Sequence, residues 1–194
     1  MRDRKEKKKV GLMLFIVIIM IGTSFGVIFY GFSPASNTAE YNGVTFTYRT
    51  NGNIWAAKVN GKSVAFSFPP QDVEKIHVED EIASKLKDRL EIDTTYDLNA
   101  TNAQWIALAQ HQMGLALFEY DVYLRPGFTS NNTFNYPVIT CADSIPSVPV
   151  IYFKEGNDTK IYLDNNCIIA ESSSDADFLK IKDRILYEML GVIK

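Results

Sequence analysis

The sequence predicts an α+β protein: an N-terminal transmembrane helix followed by one two-layer α+β domain. Three observations lead there. Residues 10–32 contain no charged side chain, alternating apolar and polar residues lie between Asn-Gly pairs over 43–68, and a helical pattern over 102–120 stands between two strand-like segments. About 160 residues beyond the apolar run is the usual size of one domain.

The run VGLMLFIVIIMIGTSFGVIFYGF (10–32) comes first. As a helix its 23 residues extend roughly 34 Å, enough to cross a hydrocarbon core of about 30 Å, and a helix alone satisfies its own backbone in lipid. Residues 1–9 carry Arg2, Arg4, Lys5, Lys7, Lys8 and Lys9 against Asp3 and Glu6. This basic tail is expected to stay cytoplasmic, leaving the remainder outside. Gly22 and Gly26 form a GxxxG pattern that lets two membrane helices approach closely. Two other readings stay open: a signal peptide cut near Ser33-Pro34-Ala35, and a pilin-type leader cut at Gly11.

Residues 33–40 (SPASNTAE) read as a polar linker, and 41–194 as the outer domain. Val44, Phe46 and Tyr48 alternate with Thr45, Thr47 and Arg49, and Asn51-Gly52 and Asn60-Gly61 signal hairpins, so 43–68 reads as a three-stranded meander. Ile82, Leu86 and Leu90 recur every four residues and predict a helix over about 79–89. Strand 91–96, helix 102–120 and strand 122–124 have the lengths of a parallel βαβ crossover. In that helix Trp105, Leu108, Ala109, Gln112, Leu115, Ala116 and Glu119 share one stripe. An irregular segment from Pro126 to Pro149 follows, then strands at 150–154, 160–163 and 167–170. The chain closes with a helix over about 175–190, with Ser174 and Asp177 spaced as a capping box.

Cys141 and Cys167 are the two cysteines. Both fall outside the membrane on this topology, where a disulfide is the economical expectation. Closing the 26-residue interval would stabilise the fold by roughly 3–4 kcal/mol. The sharper alternative is a redox thiol at Cys141, in a C-x-x-S spacing with Ser144. His77 and His111 lack ligand-type neighbours, so no metal site is expected. Nucleophile elbow, phosphate loop and dinucleotide fingerprint are absent, so no cofactor and no catalysis are expected. Asn99, Asn131 and Asn157 open N-x-[ST] sequons in turns, each a candidate glycosylation site. Arg125, Phe128, Phe134 and Tyr136 supply the residue types of a binding interface, giving a candidate interaction loop.

The segments PVITCAD, VPVIYF, NNCII and LYEMLGV, over roughly 40–194, resemble uncharacterised single-pass surface proteins of archaea. That resemblance implies an exported domain and no catalytic motif. From Ser33 onward 14 bases face 21 acids, which opposes nucleic-acid binding. The expectation is a cell-membrane protein whose partners are the lipid bilayer and either another protein or further copies of itself. The domain would act as a non-enzymatic binding or structural subunit of an envelope assembly. A thiol-dependent redox protein using Cys141 and a pilin-like filament subunit are the alternatives.

Overall fold

The computed structural model describes residues 37–193. The basic tail, the apolar run 10–32 and its Gly22 and Gly26 lie outside the described residues. Among the described residues no helix is long and apolar enough to cross a membrane.

The first sheet is antiparallel, in chain order: β1 (Thr38–Tyr41), β2 (Val44–Arg49), β3 (Ile54–Val59) and β4 (Lys62–Phe66). It has four strands where the pattern predicted three, because part of the expected linker folds back as β1. The cause is Asn42-Gly43, whose φ angles of 47° and 78° match those of Asn60-Gly61, 48° and 85°. Both pairs make the tight primed turn that suits the right-handed twist of paired strands. Phe46, Ala57, Val59, Val64 and Phe66 make this sheet's buried face.

The second sheet has six strands: β5 (His77–Val78), β6 (Glu91–Thr95), β7 (Tyr123–Pro126), β8 (Val150–Glu155), β9 (Lys160–Asp164) and β10 (Cys167–Ser172). Their order is β5-β9-β10-β8-β6-β7, with β9 antiparallel to β10 and the other pairings parallel. Among the described residues four helices accompany them: α1 (Pro70–Val73), α2 (Glu81–Leu86), α3 (Ala103–Phe118) and α4 (Asp177–Met189). The predicted crossover is present, since α3 joins β6 to its parallel neighbour β7. Helix α2 is shorter than predicted because Lys87 turns extended and Asp88 takes φ 57°.

The expected two layers are in fact three, with helices between the sheets. Helix α4 is buried at every position from Ile181 to Tyr187. It packs on α3 and β10, while Tyr187 meets Phe66 and Phe46 of the first sheet at ring-centroid distances of 4.3 and 5.7 Å. Each sheet has an apolar face that must leave water, and one set of helices covers both.

Such burial forces polar groups on α4 to find partners. The Ser67 and Phe68 N–H groups both donate to Asp183 Oδ2 at 2.8 Å, and the Lys182 ammonium donates to Asp183 Oδ1. The Tyr187 hydroxyl donates to the Phe68 carbonyl at 2.7 Å. Two turn asparagines close the other end: Asn42 donates to the Val192 carbonyl and Asn60 to that of Leu190. Gly191, at φ 71°, supplies the left-handed residue that ends the helix. The expected capping role of Asp177 is replaced, since its carboxylate takes the Thr159 hydroxyl and the Lys180 ammonium.

On the far face of the second sheet, the expected disulfide joins Cys141 to Cys167, with Cα atoms 5.1 Å apart. Cys167 stands at the start of β10 and packs with Ile139, Val150 and Ile169 in a small second core. The bond therefore ties the irregular segment to the sheet.

Candidate functional site

From Ala103 to Phe118, α3 contains no Asp, Glu, Lys or Arg. Its buried face is Ile106, Ala109, Gln110, Met113, Ala116 and Leu117. That face is rotated away from the stripe marked by spacing, because an uncharged helix with apolar residues on every side offers no single contact face. Contacts with α4 and β7 choose instead. The consequence is exposed apolar surface: Leu108 is 38% exposed, Leu115 60% and Phe118 77%.

A groove of roughly 400 Å³ runs between this helix and β7. Its walls include Tyr96, Gln110, His111, Leu115, Phe118 and Phe128, and no Asp, Glu, Lys or Arg lines it. A second groove of roughly 480 Å³ lies on the other flank of α3, toward β4, where Glu119 and His111 are the titratable residues of the lining. Gln110 is a wall residue of the first groove, 4% exposed, and its amide nitrogen has no hydrogen-bond partner. A buried amide without a partner is costly. Burial pushes the Tyr96 hydroxyl above its ordinary pKa, with the Tyr136 phenol adding to the shift.

The segment after β7 completes the groove. Phe128 is buried against Tyr96, ring centroids 4.9 Å apart. Phe134 and Tyr136 stand around it at 6.1 and 5.7 Å and stay 62% and 48% exposed. Asn132 organises them: its Oδ1 accepts the N–H groups of Phe134 and Tyr136, and its Nδ2 donates to the Tyr136 carbonyl. Gly127 allows the fold-back, since a Cβ there would lie 2.6 Å from Ile139 Cδ1 and 2.7 Å from the Pro137 carbonyl oxygen.

The structure thus brings Phe128, Phe134 and Tyr136 together and leaves Arg125 elsewhere. Along β7, Leu124 and Pro126 face the groove, so Arg125 points to the opposite side of the sheet by alternation. There its guanidinium binds buried Asp93 in fork fashion at 2.8 and 2.7 Å and Glu91 at 3.3 Å. The hydrogen bond to Asp93 raises the Arg125 pKa further above its already high value. Pro126 also lacks the N–H that an added strand would need at this sheet edge.

Asn99, Asn131 and Asn157 are all exposed. Both sulfurs of Cys141 and Cys167 are consumed by their bond. Cys141 opens only a three-residue 3-10 turn, Cys141–Asp143, in which Asp143 accepts the Thr140 N–H and hydroxyl and is held below its ordinary pKa by them. Among the described residues no group of three His, Cys, Asp or Glu is placed to hold a metal ion. One constellation went unread in the sequence: the Lys182 ammonium lies 3.4 Å from Ser67 Oγ, whose hydroxyl donates to Gln112 at 2.9 Å. Its resemblance to a Ser–Lys nucleophile pair fails on two counts. The Lys182 ammonium is already engaged by the Asp183 carboxylate, and the Ser67 and Phe68 N–H groups that would stabilise an oxyanion also bind Asp183.

No protein-family model, curated protein or solved structure matches the chain.

Proposed function

We propose that this protein is a membrane-anchored, extracytoplasmic binding or structural subunit that docks a protein partner on the outward face of α3. The uncharged run 10–32 behind a basic tail supports the anchor. The two cysteines, joined in a disulfide, support an oxidising compartment. The observation that carries the docking role is the combination of an uncharged helix, exposed Leu108, Leu115 and Phe118, and an apolar groove along its flank. Clusters of this kind, with aromatic residues at hand, are what protein interfaces bury.

The test uses full-length protein extracted from its own membranes in mild detergent and sized on a native gel. Wild type is expected to migrate as an assembly larger than one chain. Leu115→Glu and Phe118→Glu are expected to release it while leaving the domain's far-UV circular dichroism unchanged, because both side chains face water in the single copy. Assembly unaffected by either substitution would contradict the proposal.

A further inference from the structure

We infer that the groove between α3 and β7 binds a small apolar molecule bearing a carbonyl oxygen, which accepts a hydrogen bond from the Gln110 amide. This site is separate from the docking role, which needs only the exposed ridge of α3. Its volume of roughly 400 Å³ suits a small ligand. Apolar side chains make most of its wall, among them Leu115, Leu124 and Phe128. Gln110 sets the chemistry. It lines the groove from the buried face of the helix, only 4% exposed, and its Nε2 has no hydrogen-bond partner. The groove toward β4 is as large, roughly 480 Å³, yet among the described residues none in its lining holds a buried polar atom without a partner.

The missing partner is an acceptor, since an amide nitrogen only donates. Leaving a buried donor unpaired is costly, and a ligand that supplies the acceptor removes that penalty. Water is a poor substitute, because an ordered buried water needs about two to four polar partners and this wall is mostly apolar. A plain hydrocarbon fills the groove and leaves the amide as it was. A carbonyl compound does both: its oxygen takes the Nε2 hydrogen while its apolar body lies against Leu115, Leu124 and Phe128. Tyr96 and Tyr136 bring hydroxyls to the same groove, each able to donate to a further oxygen. His111 is exposed and lines both grooves, so it stands at the rim. With no Asp, Glu, Lys or Arg in the lining, the groove suits a neutral ligand.

The experiment uses benzophenone, an apolar ketone that inserts into nearby C–H bonds on irradiation, with the full-length protein extracted in mild detergent. Adducts should map by peptide mass to residues 96 and 107–128 and not to β4. Dicyclohexyl ketone should suppress labelling at a concentration about tenfold below that needed of dicyclohexylmethane, which has the same shape without the oxygen. Gln110→Leu removes the amide and keeps a side chain of similar size. It should cut labelling about tenfold and abolish the difference between the two competitors. It should melt no lower than wild type, because Nε2 loses no bond within the fold. Labelling shared equally with β4, equal potency of the competitors on wild type, or labelling indifferent to Gln110→Leu would each overturn the inference. A lower Tm for Gln110→Leu would show the amide partnered within the fold, and would overturn it as well.

Discussion

Lys182 and Asp183 are consecutive on α4, both fully buried, and ion-paired to each other. Consecutive helical side chains normally diverge; here the pair converges because the end of β4 supplies the rest of its coordination. Burial pushes the Asp183 carboxyl up, against the pull of Lys182 and the Ser67 and Phe68 amides. Removing one partner leaves buried donors unpaired, which typically costs about 3–5 kcal/mol. Asp183→Leu should therefore destabilise the protein by about that amount, and Lys182→Met by less, because Asp183 keeps two backbone donors. Thermal melts of the full-length protein in detergent check the ranking; equal effects would contradict it.

Reducing the disulfide should cost roughly 3–4 kcal/mol and lower Tm by on the order of 10 °C. Native protein should take up no alkylating agent, and reduced, unfolded protein should take up two equivalents. Labelling of the native form would contradict the account.

Acid should weaken the outer face of the second sheet. Burial alone would push the Glu171 carboxyl up, but the Tyr162 hydroxyl and the Lys154 ammonium together outweigh it and hold it below its ordinary value. The folded state then releases this proton more readily than the unfolded chain. Its stabilising contribution is complete above the ordinary glutamate pKa of about 4.3 and disappears as pH falls through the lower folded value. A Tm-against-pH series should show a steep acid limb that Glu171→Gln flattens. An unchanged limb would remove Glu171 from the account.

Gly127→Ala should push apart the backbone on either side of the aromatic turn. The new Cβ would meet the Pro137 carbonyl at 2.7 Å, and a backbone oxygen cannot step aside alone. Overpacking of this kind costs about 1–3 kcal/mol. Limited proteolysis within 128–138 should quicken relative to wild type. An unchanged rate would show that the turn does not depend on this close approach.

Much of the fold was legible because its signals are local. Alternation placed β2, Asn-Gly pairs placed the hairpins, and the crossover length placed β6, α3 and β7. The cysteine count, read with the expected extracytoplasmic topology, predicted the disulfide. What failed needed long-range information. Asn42-Gly43 has the same turn signal as Asn60-Gly61, yet the strand before it is only Thr38–Tyr41, and one four-residue alternation is too brief to set it apart from a polar linker. The third layer was invisible because α4 carries Lys182, Asp183 and Arg184, whose charges read as a solvated face until β4 and the helix itself partner them. The candidate site was half legible: aromatic residues marked the turn at 128–136, but helix α3 is uncharged and has apolar residues on every side, so its outward side could not be told from its core side. Gln110 and Asn132 gave no sequence signal, since one matters by its missing partner and the other by bonds across a turn.

The most direct test uses intact cells and a membrane-impermeant maleimide on single-cysteine variants of the full-length protein, since both native cysteines are bonded. The account predicts that Thr47→Cys is labelled from outside and that Leu115→Cys, though exposed in one copy of the domain, is protected until the assembly is dissociated. Equal labelling of both would show α3 uncovered in the membrane, and labelling of neither until the cells are permeabilised would place the domain on the wrong side; either result would contradict it.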